Sequence, residues 1–459
     1  MKRTIQLIAS VLFLTGLTHT QASLVIRVDR FIRSEMARQQ IPGVSLAVVR
    51  DGRPLLVKGY GFANIEHQVL VRPETIFQSG SVAKQFTATA VMLLAVDGKL
   101  TLDDRISKHL GDVPNSWKNI TIRHLLGHTG GMTDYPPDFD LRRDYTEDEM
   151  LTLIKGIPLA FEPGEKWQYS NLGYVTLGIL IHKVTGKFYG DLLSERIFKP
   201  FGMTTARVIS ESDIVPNRAA GYRLRKGEIK NQEWVSPSVN TTADGSLYLS
   251  ALDMLKWDEA LSGDKLLSHS SLQQMWTPVK LNIGKSHGHG FGWSLRNVNG
   301  QRLVEHGGAW QGFKSHIARY PDDRLTVIVF ANLEQTNQSR IAHGVAAIVD
   351  PKLKPDLIND PDPAASAMFR ELVEKILSGK AERSQFTEPV QKNIFDEQNR
   401  LFGFVKTLGP IQEFRFVDRG AAGGETVYHY EIEYMGMSVY LEIGRRDDGK
   451  ISTFDLEPE

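Results

Sequence analysis

The 459-residue chain contains no cysteine, which excludes disulfides, thiol nucleophiles, thiolate-held metals and a lipidated N-terminal Cys. Any chemistry it performs must use oxygen and nitrogen groups. It also lacks net charge, with 54 Lys plus Arg against 54 Asp plus Glu, so no long-range field favours nucleic acid, an anionic membrane or a polyanionic substrate. No apolar run reaches the roughly 20 residues that a membrane-crossing helix requires, and no internal repeat or low-complexity tract is present. What remains is a chain longer than one ordinary core, which points to two or three domains.

The N-terminus carries Lys2-Arg3, a mostly apolar run from Ile5 to Leu17, and Thr20-Gln21-Ala22 before Ser23. This is the pattern of a cleaved export signal over residues 1–22, and the expected location is periplasmic or secreted. Beyond it, Val44 to Val49 and Leu55 to Gly59 flank Asp51-Gly52, a pairing that predicts a β-hairpin. Apolar residues from Val82 to Leu93 fall at helical spacing and stop at Gly98, which predicts a buried helix. Residues 106–230 read mostly as helices and loops. Strands return at 294–298, from Arg302, at 315–320 and at 325–331.

Strand patterns from both ends of this region suggest one antiparallel sheet with helices packed on it and a helical insert, an α/β (α+β) architecture. Residues 351–363 hold four prolines among charged residues and read as a linker. That divides the chain into a main domain at 23–350 and a C-terminal α+β unit at 364–459. The latter is expected to have helices near 364–377 and 390–407, followed by alternating strands.

Three groups of residues carry possible chemistry. Ser81-Val82-Ala83-Lys84 puts a hydroxyl and an amine on one helical face, where a partly buried lysine can deprotonate the serine. Gly80 before it sets Ser81 at a helix N-terminus, whose free N–H groups suit an oxyanion. Tyr169-Ser170-Asn171 follows a turn-like Glu162-Pro163-Gly164-Glu165; the phenol could relay protons, and the amide could both donate to and accept from a substrate. His306-Gly307-Gly308-Ala309 ends a predicted strand, its glycines allowing close backbone approach and the Ala309 N–H offering a second oxyanion donor. Each group alone also has a plain structural reading: a helix cap, a packed tyrosine, a satisfied histidine.

In this order the three groups resemble those of the serine β-lactamase and penicillin-binding protein superfamily, closest to its class C, D-aminopeptidase and esterase branch, of the S12 peptidase type. The likeness runs from about Ser23 to Asp350 and includes Ile41-Pro42-Gly43-Val44, Gly98 to Asp104, and Ile197 to Met203. It implies a β-lactamase/transpeptidase-like fold and a serine hydrolase acting through a Ser81 acyl-enzyme without a cofactor. Ser81, Lys84 and Tyr169 would be catalytic, and Asn171, His306, Gly307, Gly308 and Ala309 would bind substrate. The family usually has lysine in the strand motif; His306 in its place turns the expectation toward a D-amino-acid peptidase or esterase. β-Lactam hydrolysis, or a non-catalytic sensor of penicillin or cell-wall fragments, are the alternatives.

The expected partner is a small molecule or peptide. Asp244 and Ser246 stand where the family has glycine or alanine, so Asp244 would alter the pocket's charge. His287-Gly288-His289 reads as a surface loop, without the third ligand a metal site would need. His124 and His128 would satisfy local hydrogen bonds, and Trp167, Trp293 and Trp310 are candidates to line the cleft.

Overall fold

Asp51 and Gly52 both adopt positive φ, 54° and 72°, which is the backbone of a type I′ turn whose twist matches paired strands. They join strands Gly43–Arg50 and Arg53–Asn64 in a computed structural model that describes residues 19–354, 360–395, 409–422, 425–434 and 437–458. The expected leader lies outside the described residues as far as position 18. Its last four residues begin the helix His19–Gln39.

The hairpin joins strands from the far end of the main region in a seven-stranded antiparallel sheet. Its order is Ser294–Val298, Gln301–Trp310, Phe313–Tyr320, Leu325–Ala331, Gly43–Arg50, Arg53–Asn64 and Val69–Leu70. The sheet is thus built from both ends of the main region, as the strand patterns predict.

Alternation sends successive side chains to opposite faces. Ala47, Val304, Ile317, Ile328 and Phe330 face a core shared with helices Lys84–Val96, Asn171–Thr185 and Ala251–Ser262. Leu46, Leu303, Ala318, Val327 and Val329 face helices His19–Gln39 and Gln338–Val349. Both faces are therefore covered, which explains why the central strands Gly43–Arg50 and Leu325–Ala331 are nearly continuous apolar runs. The helical insert is present, but the hairpin Tyr222–Arg225 and Glu228–Asn231 interrupts a stretch expected to be mostly helices and loops.

Leu353 is 1% exposed and belongs to the second core. The first residues of the expected linker therefore still pack on the main unit. Beyond it, helices Pro363–Leu377 and Glu388–Ile394 pack on a four-stranded antiparallel sheet of Glu413–Ala422, Glu425–Tyr434, Met437–Arg446 and Ile451–Pro458. Phe369, Val373, Tyr430, Ile432 and Leu441 form a core of their own there. The second expected helix is seen from 388 to 394, and residues 396–407 of that expectation lie outside the described residues. Charged contacts join the two units: Glu433, 1% exposed, meets Arg340 at 2.9 Å and Arg38 at 3.6 Å. The Arg296 guanidinium lies 4.2 Å from the Tyr440 ring centre and donates to its hydroxyl.

Candidate active site

Ser81 lies in the 3₁₀ turn Gly80–Ala83, which runs directly into the helix Lys84–Val96. The turn is held from both sides. Ser79 N–H donates to Leu247 O at 2.9 Å, and Ser315 Oγ donates to Ser79 O at 2.5 Å. Two glycines make this approach possible. A side chain on Gly308 would fall 2.1 Å from Ser79 O, and one on Gly80, whose φ is +51°, would fall 2.5 Å from Ala309 N. The backbone of Ser81 is thereby placed beside that of Ala309, the juxtaposition an oxyanion-binding pair requires. Gly307 does not share this role: its Cα faces His316 and Gln338 on the opposite side of the sheet.

Lys84 is fully buried and stands one helical turn from Ser81, with Nζ 3.1 Å from Ser81 Oγ. Nζ also donates to Asn171 Oδ1 at 2.6 Å and to the Asp244 carbonyl at 2.6 Å. Three neighbours match the three donors of an ammonium. Burial nevertheless pulls the Lys84 pKa down to about 8, although the Asp244 and Asp134 carboxylates oppose the shift. On losing a proton, Nζ keeps two donations, to Asn171 and Asp244, and turns a lone pair to the Ser81 hydroxyl.

Tyr169 is brought in from the loop before helix Asn171–Thr185. Its ring centre is 4.9 Å from Lys84 Nζ and stacks on His128 at 4.4 Å. The buried hydroxyl faces Ser81 without a hydrogen bond of normal geometry, and burial pushes its pKa far up. Tyr169 is thus a neutral phenol beside an amine that deprotonates readily, which makes Lys84 the stronger candidate for the initial base.

Asn171 opens its helix, capped by Ser170, whose Oγ accepts from Gly173 N–H at 2.9 Å. Its side chain bridges the two charges: Oδ1 takes Lys84, and Nδ2 donates to both oxygens of Asp134 at 3.1 and 3.0 Å. His306 faces the same core as Gly308. Burial lowers its pKa to about 4, and its Nδ1 donates to Gly307 O at 2.6 Å. That leaves Nε2 as an acceptor.

The structure adds residues that sequence reasoning did not place here. His289 is buried, not part of a surface loop, and packs on His128, Tyr169 and His306 at 5.0, 6.3 and 5.8 Å between ring centres. His287 stacks on Trp167 at 4.0 Å. Burial holds His128 and His289 well below the ordinary histidine pKa, so these two imidazoles are neutral. Asp134 had no local signal, whereas Asp244 stood out as a departure from the family. The Asp244 carboxylate is buried, with Oδ2 accepting from Tyr135 at 3.2 Å and Oδ1 unpartnered. His124 makes the expected local bond, accepting from Thr121 N–H, whereas His128 accepts from Ser170 N–H, 42 positions away. Trp293 is core rather than cleft.

A serine on a glycine-guarded turn, a buried lysine, a loop tyrosine and a His-Gly-Gly strand on an antiparallel sheet define a serine acyl-transfer hydrolase of the β-lactamase/transpeptidase class. The chain belongs to the Beta-lactamase family, whose description matches residues 28–349. Among curated relatives, Penicillin-binding protein 4* of Bacillus subtilis is 30% identical over 319 residues, 66% of this chain and 70% of that one. Protein flp of Staphylococcus aureus is 28% identical over 67% of this chain and 63% of its own length, so this chain spans about two thirds of these relatives. Among solved structures, the D-amino acid amidase from Ochrobactrum anthropi SV3 is 26% identical, covers 72% of this chain and 98% of its own, and superposes with a TM-score of 0.62. The octameric penicillin-binding protein homologue from Pyrococcus abyssi shares the fold over 95% of this chain and 98% of its own, at 24% identity and a TM-score of 0.63.

Proposed function

We propose that this hydrolase cleaves amide or ester bonds of D-amino-acid-type substrates through an acyl-enzyme on Ser81. The observation that carries this reading is the buried Lys84 amine 3.1 Å from Ser81 Oγ, with a pKa lowered to about 8. Neutral Lys84 takes the Ser81 proton as Oγ attacks the carbonyl carbon, and the oxyanion settles between the Ser81 and Ala309 N–H groups. Tyr169 passes its proton to the leaving amine or alkoxide while recovering one from Lys84. Water then attacks the acyl carbon by the reverse relay, releasing the acid.

The charge of the site narrows the substrate. Asp134 offers an exposed carboxylate beside Asn171, and the strand motif supplies a neutral imidazole where an ammonium would bind a penicillin carboxylate. A substrate bearing a free amine near the scissile bond suits this field better than a β-lactam acid. The likeness to a D-amino acid amidase supports that choice. Turnover of D-amino-acid amides, D-Ala-D-Ala peptides, p-nitrophenyl esters and nitrocefin by one preparation tests it. Amide or peptide turnover should exceed that of nitrocefin, and every activity should vanish in Ser81→Ala. Dominant nitrocefin turnover would reject the substrate assignment, and an active Ser81→Ala would reject the mechanism.

A further inference from the structure

On the face of the sheet away from Ser81, three metal-ligating side chains converge. Glu305 precedes His306 on the same strand and therefore points to the opposite side. Glu305 pairs in register with Ala318, and Gly307 with His316, which puts Glu305 and His316 on that face as diagonal neighbours. His343 reaches them from the helix Gln338–Val349. The Nε2 atoms of His316 and His343 lie 2.9 and 2.7 Å from the same oxygen, Glu305 Oε2, and the three ligand atoms all fall within 4.8 Å of one another.

Buried polar side-chain atoms usually have a hydrogen-bond partner. Here both imidazoles crowd one oxygen, while Glu305 Oε1 and His316 Nδ1 are buried without a hydrogen bond. Arg296 Nε stands 3.4 Å from Oε1, close enough to form an ion pair, and its guanidinium is engaged with Tyr440. Glu305 and His316 side chains are each 2% exposed, but that of His343 is 25% exposed, which leaves a way in from solvent.

We propose that Glu305, His316 and His343 bind a divalent transition-metal ion of the zinc type. Two imidazoles and one carboxylate are a usual zinc set with a fourth position for water. At zinc bond lengths adjacent ligands stand about 3.3 Å apart, so the cluster opens by roughly half an ångström as the ion replaces the two hydrogen bonds. Arg296 stays as an outer partner of Oε1. The three ligands come from two strands and a helix, so the ion ties the back of the His306 strand to the helix Gln338–Val349.

The test is titration of the full, chelator-treated chain with Co²⁺, followed by visible d–d absorption, and with Zn²⁺, followed by calorimetry. One ion should bind per chain, with the bands of a four-coordinate nitrogen and oxygen site, and Zn²⁺ should raise Tm. Affinity should fall at least tenfold in Glu305→Gln and in His343→Gln. The latter replaces a partly exposed residue, so its circular dichroism should match the parent. A His287→Gln/His289→Gln variant should bind as the parent does, since the cleft histidines are a separate cluster. Absence of saturable one-to-one binding, or binding unchanged in His343→Gln, overturns the proposal.

Discussion

If Lys84 is the base that activates Ser81, activity must follow its deprotonation. With a pKa of about 8, the neutral fraction is about one in a hundred at pH 6, about a tenth at pH 7 and half at pH 8. For an ester substrate that does not itself ionise, kcat/KM should climb about tenfold per pH unit up to pH 7. It should bend near 8, stand about 50-fold higher at pH 8 than at pH 6 and level off about 100-fold above pH 6, since kcat/KM reports the free enzyme. The Asp244 carboxylate holds a proton on Lys84 by charge, and its main-chain oxygen, not its side chain, accepts from Nζ. Asp244→Asn removes the charge and keeps that bond, so the bend should move to lower pH. Stopped assays from pH 5.5 to 10 on both proteins give the two curves. A profile still rising beyond pH 9.5, as an ordinary lysine would produce, refutes the reasoning, as does a shift of Asp244→Asn to higher pH.

Gly308→Ala places a methyl 2.1 Å from Ser79 O, so kcat/KM should fall at least 100-fold while far-ultraviolet circular dichroism stays unchanged; near-parental activity would show that the turn needs no such contact. His306→Lys puts an ammonium where the strand now presents an imidazole, and the ratio of nitrocefin to amide turnover should rise at least tenfold. Arg340→Ala leaves buried Glu433 without its 2.9 Å partner. Urea denaturation should show a loss of about 1–3 kcal/mol, and an unchanged midpoint would mean that Arg38 suffices.

The parts of the fold governed by local patterning were legible in the sequence. Asp51-Gly52 announced its turn, Gly98 with φ +67° follows the buried helix where its apolar periodicity stops, and strands stand at 294–331 where they were expected. The hairpin at 222–231 was missed because its second strand is exposed throughout, leaving no apolar alternation to detect. Ser81, Lys84, Tyr169 and Asn171 were read from motif order, and the chain brings all four together.

Residues whose roles depend on long-range pairing were not legible. Asp134 meets the site through Asn171, 37 positions away, and through its charge on Lys84. His289 looked like surface because its burial comes from His128, Tyr169 and His306, which are distant in the chain. Gly307 was assigned with its neighbours, but strand alternation turns it to the other face.

Peptide mapping of an acyl adduct tests the central claim most directly. The protein is quenched in acid during turnover of a slowly deacylating ester and digested, and the modified peptide is sequenced by mass spectrometry. The added acyl mass should sit on Ser81, should disappear in Ser81→Ala and should accumulate far more slowly in Lys84→Ala. An adduct on another residue, or turnover that persists in Ser81→Ala, would contradict the account.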